Sequence, residues 1–393
     1  MMIITAQLLN DSKFYEKPIL LYFTTDQCKK CEELYEQMKN LYILSKYYAI
    51  QVNAIENVEY TVRLTRGVIP TITILTPDLK ILGIIESVDV KFIESRLRDI
   101  LDDYKNKKII GLTINGFIPE PLELSPFVIY DTVNKVIEGE PADSRMIEVY
   151  LTYTNIYKDY LKAKDKIKFQ DSLAEFLLNK QAKINVDKKY LANIAMLVNY
   201  GIADIKEVLE LLNKDTGEVY RSSLRENKGI LLDEALAGNA LLTAYESSFD
   251  ENYLTLAIRI ANYIKENLQH EKGFKDIKGN DDITNIPYLE PISNAETAIF
   301  FSRLWNITND ESYKSLSLKG AMSALGASTS NPKVLARISI AYMKLYESIK
   351  ANQVLNIIDS RVEIVKDNNC EKGKLYYDGK CYTSIHEIVP KSF

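Results

Sequence analysis

The 393-residue sequence lacks several features that define particular classes of protein. It has no run of 18 apolar residues, and residues 1–5 lack the basic region and long apolar stretch of a secretion signal. The net charge is −5 and long basic clusters are absent, which argues against a nucleic-acid-binding face. We therefore expect a cytoplasmic protein whose partner is neither a nucleic acid nor a membrane.

Histidine is also scarce, because only His270 and His386 occur. They fall at a predicted helix end and in the C-terminal tail, so chemistry that depends on a pair of histidines is not expected. Hydrophobic residues make up 46% of the chain, as in globular proteins, and the length allows two or three domains. The many Lys, Glu, Ile and Tyr residues suggest a heat-adapted source.

The most informative stretch joins a predicted strand, residues 19–23, to a helical pattern after Cys28. Cys28 and Cys31 therefore lie at a strand-to-helix turn, where backbone N–H groups and the helix dipole stabilise a thiolate. Lys29 and Lys30 add positive charge. We predict a redox-active pair, with Cys28 attacking and Cys31 resolving; half of a metal site or two buried thiols are the alternatives. No further ligand lies nearby in sequence, so no metal or other cofactor is predicted.

The other two cysteines, Cys370 and Cys381, lie near the C-terminus. Disulfides are rare in a reducing cytosol, but intracellular proteins of hyperthermophiles are an exception. Residues 376–379 have the composition of a hairpin turn between the two cysteines. We predict a structural disulfide that closes this loop, with free thiols, or thiols that exchange with the N-terminal pair, as alternatives.

The first 104 residues predict a mixed α/β domain. An opening helix, residues 5–14, is followed by a strand, a helix, a strand, a helix, two strands and a helix. The predicted strands cover residues 19–23, 48–53, 71–75 and 81–85. The predicted later helices start after Cys28 and cover residues 57–64 and 90–104.

This order, with a C-x-x-C motif at the start of a helix and Pro70 before the third strand, resembles the thioredoxin fold. Cys28, Cys31 and Pro70 match the family's positions. Ile69 matches the residue before the family's cis-proline. The resemblance implies a cis Ile69–Pro70 bond, with backbone that faces the sulfurs and pairs with a substrate strand; an ordinary trans proline is the alternative. Tyr22 stands where the family has a buried acidic residue.

Residues 105–126 form the predicted linker, because glycine and proline interrupt every pattern there. From residue 127 onward helical periodicity dominates. The predicted helices cover residues 127–138, 143–160, 168–179, 187–200, 203–213, 230–247, 251–268, 293–307, 311–325 and 332–350. A sixty-residue repeat relates residues 240–256 to 300–316, and in each copy an aspartate, Asp250 or Asp310, can cap the second of two helices.

Repeated helical hairpins of this kind resemble the α/α toroid of six-hairpin glycosidases and N-acylglucosamine epimerases. The motifs that carry this resemblance are Asp233-Glu234-Ala235, Pro291-Ile292-Ser293-Asn294 and Gly379-Lys380-Cys381. With the thioredoxin-like N-terminus, they resemble the two-domain family of bacterial YyaL and the spermatogenesis-associated thioredoxin-like proteins. The implied fold class is multidomain, α/β plus all-α: a thioredoxin-like domain (1–104), a linker (105–126) and a toroid (127–393).

Sugar hydrolysis in such a toroid needs two carboxylates that face one cavity. The candidates are acidic residues that begin predicted helices or lie in the loop before one: Asp233, Glu234, Glu290, Asp281 and Asp282. The alternative is that these side chains only stabilise helix ends. Glu296 is interpreted in that way, as a capping-box partner of Ser293.

Three functional hypotheses follow from these patterns. The first is a thiol–disulfide oxidoreductase-like protein that acts on a client protein through Cys28 and Cys31, with the helical domain selecting the client or a ligand. The second is a carbohydrate-binding or carbohydrate-active toroid, in which the candidate carboxylates contact the substrate and the N-terminal domain is structural. The third is an interaction scaffold without chemistry.

Overall fold

The computed structural model describes residues 3–392, apart from the side chains of residues 159–162. The chain divides into two compact units. Unit 1 comprises Met1–Phe117 and Ile277–Tyr288, and unit 2 comprises Ile118–Asp276 and Leu289–Phe393. The chain therefore passes between the units three times. The first passage falls within the stretch predicted to be the linker, whereas the other two are not indicated by any pattern in the sequence.

Unit 1 is built on a four-stranded sheet. Its elements are α1 (Ala6–Phe14), β1 (Ile19–Thr24), α2 (Lys29–Met38), β2 (Tyr48–Asn53), α3 (Val58–Leu64), β3 (Thr71–Leu75), β4 (Ile81–Ile85) and α4 (Val90–Lys105). A 3-10 helix, Tyr42–Lys46, follows α2. The strand order is β2-β1-β3-β4, with β1 and β2 parallel and β3 antiparallel to both of its neighbours. The predicted elements of residues 1–104 are confirmed to within one residue.

The sequence of β1 explains its central place in the sheet. All six of its residues are buried, because both faces of the sheet are covered. Leu20 and Tyr22 belong to one apolar cluster, and Ile19, Leu21 and Phe23 belong to another. Alternate residues of one strand thus enter two separate cores, one on each side of the sheet.

The segment Ile277–Tyr288 completes the second of these cores. It lies far along the sequence, yet it packs against α3 within unit 1. The Tyr60 hydroxyl donates a hydrogen bond to the carboxylate of Asp281. The Arg63 guanidinium donates to the carbonyl of Ile286 through Nε at 3.0 Å and Nη2 at 2.7 Å. These bonds give buried polar groups of α3 partners in a segment that is distant in sequence.

Unit 2 is mainly helical. Its helices are α5 (Phe127–Glu138), α6 (Ser144–Ile156), α7 (Ser172–Leu178), α8 (Leu191–Asn199), α9 (Lys206–Leu209), α10 (Leu231–Ser248), α11 (Glu251–Tyr263), α12 (Pro291–Thr308), α13 (Glu311–Ala327) and α14 (Pro332–Tyr346). A 3-10 helix, Lys158–Lys166, follows α6, and a π-helical turn, Ile264–Leu268, follows α11. Its strands are β5 (Gln269–His270), β6 (Gly273–Phe274), β7 (Ile349–Ala351), β8 (Val362–Ile364), β9 (Leu375–Tyr377) and β10 (Lys380–Tyr382).

The sixty-residue repeat corresponds to a repeated local structure. The C-cap residues that follow α10 and α12, Phe249 and Asn309, are both in the left-handed conformation, with φ of 54° and 57°. The next residues, Asp250 and Asp310, accept hydrogen bonds at 3.0 and 2.9 Å from N–H groups that begin α11 and α13. Both predicted caps are therefore confirmed.

α10 and α12 are the inner helices of these two hairpins. They are buried around most of their circumference, as the nearly continuous apolar sequence of α10 predicts for that helix. Gly238 of α10 faces Phe300 of α12 so closely that a Cβ atom on the glycine would lie 2.5 Å from the ring. The glycine therefore permits the close approach of the two helices.

Two stretches of unit 2 differ from the predicted helices. The periodic stretch 203–213 contains only the four-residue α9. After it the chain turns back, and the Tyr220 N–H donates to the Leu211 carbonyl at 2.8 Å, so the apolar residues there belong to a turn. The stretch predicted as helix to residue 350 leaves α14 at Tyr346 and enters a small sheet of order β10-β9-β7-β8. Strands of three residues are too short to give a periodic signal.

Candidate functional site

The C-x-x-C pair lies at the start of α2. Cys28 is the N-cap residue and is half-buried, whereas Cys31 is fully buried. The Cys31 N–H donates to Cys28 Sγ at 3.2 Å, which is the kind of contact that stabilises a thiolate at a helix N-terminus. Their Cα atoms lie 5.2 Å apart and the sulfurs form a disulfide. The geometry fits the predicted division into an accessible and a shielded cysteine.

The turn that carries Cys28 is held from both sides. The Cys28 N–H donates to the carbonyl of Thr25 at 3.1 Å, which closes the turn between β1 and α2. Asn53, the last residue of β2, donates from Nδ2 to the carboxylate of Asp26 at 2.8 Å. The accessible sulfur is therefore presented by backbone whose neighbours are fixed to the end of the sheet.

The lysines between the cysteines stabilise a thiolate less than their charges alone would suggest. Both are exposed, and the Lys29 ammonium lies 3.9 Å from the carboxylate of Glu33, one helical turn further on. Exposed pairs of this kind are screened by solvent and contribute only tenths of a kcal/mol, about 0.3–0.5 for helix pairs. The N-terminal N–H groups of α2 are therefore the main stabilising feature for a thiolate at Cys28.

The peptide bond between Ile69 and Pro70 is cis, as the resemblance implies. Thr71, the first residue of β3, pairs with Phe23 of β1. Pro70 therefore comes level with Thr24, at the end of β1 that leads into the cysteine turn. Ile69 is half-buried and packs against the same core as Phe23. The proline and the cysteine turn are thus at the same end of the sheet.

Tyr22 of β1 lies beside the shielded cysteine. Its hydroxyl donates to the Cys31 carbonyl at 2.7 Å, and its ring stacks on Tyr35 with centroids 5.9 Å apart. Burial raises the pKa of Tyr22 to about 12, so the phenol is neutral at physiological pH. The residue fixes the backbone of Cys31 as a hydrogen-bond donor and supplies no carboxylate that could accept a proton from its thiol.

Two of the predicted carboxylates, Asp233 and Glu234, are buried in the first turn of α10. Arg221 Nη1 donates to Asp233 at 2.8 Å, and the Val219 N–H donates to Glu234 at 2.7 Å. Burial raises the pKa of both carboxyl groups, and that of Glu234 lies well above its ordinary value. Among the described residues, no hydrogen bond joins either side chain to Glu290. The pair anchors the loop before α10.

Glu290 is the N-cap of α12, and Pro291 follows it at the first helical position. Its carboxylate accepts from the Ile292 N–H at 3.1 Å and from the Ser293 hydroxyl at 2.6 Å. The interpretation of Ser293 and Glu296 as a capping box is therefore wrong, because the helix begins three residues earlier. Proline at the first position was the signal in the sequence that marks this start.

The last two candidates, Asp281 and Asp282, lie in the segment that belongs to unit 1. Asp281 accepts from the Tyr60 hydroxyl and from the N–H groups of Ile283 and Thr284, at 2.9 and 2.8 Å for the two amides. It closes a turn and anchors the segment to α3. The loop expected to supply carboxylates to the helical domain thus belongs to unit 1, and the contacts of Asp281 there are structural.

Glu296 takes part in a buried group of charges that the sequence does not indicate. Arg145 of α6 contacts it twice, with Nε–Oε1 at 3.0 Å and Nη2–Oε2 at 2.8 Å. Arg337 of α14 lies 3.0 Å from the same carboxylate and 2.8 Å from that of Asp143. Glu148 accepts from Arg145 at 2.9 Å. Ion pairs therefore join α6, α12 and α14 in the interior of unit 2.

A second buried group links α10, α12, α14 and β8. Arg303 donates to Glu246 at 2.9 Å, and Lys344 donates to Glu363. Arg303 also lies 3.5 Å from the carboxylate of Glu363, so one guanidinium serves both glutamates. Burial, opposed by Arg303 and helped by Glu363, raises the pKa of Glu246 to about 8. Burial also acts to raise the pKa of Glu363, but the cations Lys344 and Arg303 hold it below its ordinary value. Near neutral pH Glu246 therefore keeps its proton and Glu363 is ionised.

The two groups together contain more acids than bases. The acids are Asp143, Glu148, Glu246, Glu296 and Glu363. The bases are Arg145, Arg303, Arg337 and Lys344. Five carboxyl groups face four cations, so one bound proton makes the set electrically neutral. Neutrality is the state that burial favours, because an uncompensated charge in the interior is strongly unfavourable.

The tail cysteines Cys370 and Cys381 are bonded as a disulfide, with Cα atoms 5.9 Å apart. Cys381 lies on β10 and pairs in register with Tyr376 of β9, which places the predicted turn between these strands. Tyr377 anchors the hairpin by donating from its hydroxyl to the buried carboxylate of Glu347. The disulfide therefore joins a hairpin to the chain segment before it, as predicted.

No protein-family profile matches the sequence, and no curated protein is significantly similar to it. Among residues 3–392, no helix is long and apolar enough to cross a membrane. Over the same range, no group of three or more His, Cys, Asp and Glu side chains could hold a metal ion.

Proposed function

We propose that the protein exchanges thiols and disulfides through Cys28 and Cys31, in a unit with the thioredoxin fold. The observation that supports this most strongly is the combination of an accessible sulfur at the N-cap of α2 with a fully buried second sulfur bonded to it. A cis-proline at the same end of the sheet adds the backbone feature with which a substrate strand can pair.

The reaction in the reducing direction has two displacements. The Cys28 thiolate attacks one sulfur of a client disulfide, which forms a mixed disulfide and releases the first client thiolate. The Cys31 thiolate then attacks Cys28 Sγ, which releases the second client thiolate and forms the Cys28–Cys31 disulfide. The client is reduced by two electrons and the protein pair is oxidised. Because Tyr22 is a neutral donor, the proton of the Cys31 thiol leaves to solvent.

For unit 2 we propose a toroid-like arrangement of helical hairpins that selects the client. The repeated hairpins α10–α11 and α12–α13, with their shared caps, support this architecture. A sugar-hydrolysing role has less support, because Asp233, Glu234 and Glu290 are all engaged in bonds to neighbouring backbone or side chains. A screen for glycan binding and hydrolysis separates a carbohydrate function from a client-selecting one.

The test is to replace Cys31 by Ser in a background with Cys370→Ser and Cys381→Ser. Without its resolving thiol, Cys28 should hold client proteins as mixed disulfides that reductant releases. Cys28→Ser in the same background is the matched control and should hold none. In the reduced protein, the pH dependence of the rate of Cys28 alkylation should give a pKa below the free-thiol value of about 8.5.

Two results together would exclude the proposal. One is capture by Cys31→Ser at the level of the Cys28→Ser control. The other is an alkylation profile of Cys28 that matches a free thiol. The scaffold hypothesis would then remain for this chain.

A further inference from the structure

Unit 1 contains a cavity that lies one side chain away from the buried cysteine. Its volume is about 370 Å³, and it is bounded by β1, β2, α2 and the 3-10 helix after α2. That volume is within the range of small-molecule sites and far exceeds the ~30 Å³ that one water takes up. Tyr22 forms part of its wall and also donates its hydroxyl to the Cys31 carbonyl.

The cavity exists because the edge of the sheet is left uncovered on the side of α2. β2 is the edge strand, and α2 ends at Met38 before its chain turns away into the 3-10 helix. Val52 of β2 packs into the core on the other face of the sheet, while Ala49 and Gln51 are exposed. Ala49 is also small, so the space above it stays open.

The wall of the cavity is apolar and aromatic. It is formed mainly by Leu20, Tyr22, Tyr35, Met38, Leu41 and Leu44. Two stacked tyrosine rings and a thioether provide a surface on which an aromatic ring packs well. The polar side chains around it are neutral amides and a hydroxyl, except for Lys39, whose ammonium is paired with Glu36. The lining therefore favours a neutral ligand.

We propose that this cavity is a binding site for a small, uncharged aromatic molecule. A peptide strand is a poorer match, because it would pair with the outer edge of β2, whereas the floor of the cavity reaches inward to Leu20 and Tyr22 of β1. An anionic molecule is a poorer match because Glu36 neutralises Lys39. The site does not depend on redox activity, although a ligand in it contacts the residue that fixes Cys31.

Indole is a suitable probe, and the oxidised full-length protein can be used without reductant. Calorimetry should give saturable binding, and ¹H–¹⁵N spectra should show shifts confined to amides of β1, β2, α2 and the 3-10 helix. Ala49→Leu fills the cavity from the exposed edge strand and should weaken binding at least tenfold. Ala6→Leu, the same change at an exposed position of α1 outside the cavity, should leave the affinity unchanged.

Two results would overturn the assignment. One is the absence of saturable binding of indole to the wild type. The other is equal affinity in Ala49→Leu and the wild type, which would place the bound indole elsewhere. Because both measurements use the disulfide form and involve no exchange reaction, failure here is distinguishable from failure of the proposed thiol chemistry.

Discussion

Replacing Glu246 by Gln should raise the free energy of unfolding of unit 2 at pH 8 and change it little at pH 5. Glu246 keeps a proton up to a pKa of about 8 in a buried group that also contains Glu363, Arg303 and Lys344. A glutamine at this position is neutral at every pH. The substitution therefore imitates the protonated form of Glu246 and prevents the formation of the ionised one.

The sign of the effect follows from the raised pKa. Between pH 4.5, the ordinary value, and about 8, folded Glu246 keeps a proton that the unfolded chain has lost. The free energy of unfolding of the wild type therefore falls as pH rises through this window, by at most about 1.4 kcal/mol per pH unit. Over the whole window, the free energy of unfolding therefore falls by at most ~5 kcal/mol. The pKa of Glu363 is lowered, so its ionised form stabilises the folded state. That stabilisation is lost only when the pH falls below the ordinary value of a glutamate, outside this window.

The expected difference is smaller than this limit. The Glu246 side chain is 14% exposed, so water reduces the penalty for ionisation. We expect the variant to exceed the wild type in free energy of unfolding by ~2 kcal/mol at pH 8, with the difference shrinking steadily towards pH 5.

The assay is urea unfolding at pH 5, 6, 7 and 8, followed by tryptophan fluorescence. Trp305 is the only tryptophan in the sequence and lies on α12, so the signal reports unit 2 alone. Glu138→Gln, the same change at an exposed position of α5, is the control and should show no growing difference with pH. A difference between Glu246→Gln and the wild type that is constant from pH 5 to pH 8 would refute a raised pKa for Glu246.

Three further predictions concern a buried arginine, a glycine and the tail disulfide. Arg145→Met should destabilise unit 2 by ~3–5 kcal/mol in urea, because Glu296 then loses a two-point partner in the interior; a loss under ~1 kcal/mol would contradict this. Gly217→Ala should lower stability by ~1–3 kcal/mol, since the glycine has φ of 81° and a Cβ would lie 2.6 Å from a carbonyl oxygen of α11; unchanged unfolding would argue against that packing. Non-reducing mass spectrometry should find Cys370 linked to Cys381, and two alkylated thiols in protein purified without reductant would exclude the link.

Local patterns allowed the elements of residues 1–104 to be predicted from the sequence. Residues 19–23 of β1 are a continuous apolar run, and the helix after it follows the cysteine that caps it. The spacing of Cys28 and Cys31, and the proline before a strand, depend on only a few neighbouring residues. These features are set by short-range geometry, so they are visible without knowledge of the tertiary structure.

The buried charges could not be predicted in the same way. Arg145 and Glu296 are 151 residues apart in sequence, and each alone resembles an ordinary charge on a helix. Their pairing depends on which faces of α6 and α12 meet, and periodicity does not determine that. Glu290 illustrates the opposite case, since Pro291 marks it as a cap, and reading Ser293 as the cap overlooked a signal that was present.

Because residues 277–288 belong to unit 1, recombination or proteolysis within residues 105–126 does not separate the two units cleanly. A single recombination event within residues 105–126 would transfer residues 1–104 without the residues that bond to Tyr60 and Arg63. After a single proteolytic cleavage in the same stretch, the larger fragment would still contact α3 through the hydrogen bonds of residues 277–288. Unit 1 is thus completed by residues that lie within the sequence of unit 2. We therefore expect the two units to be inherited as one.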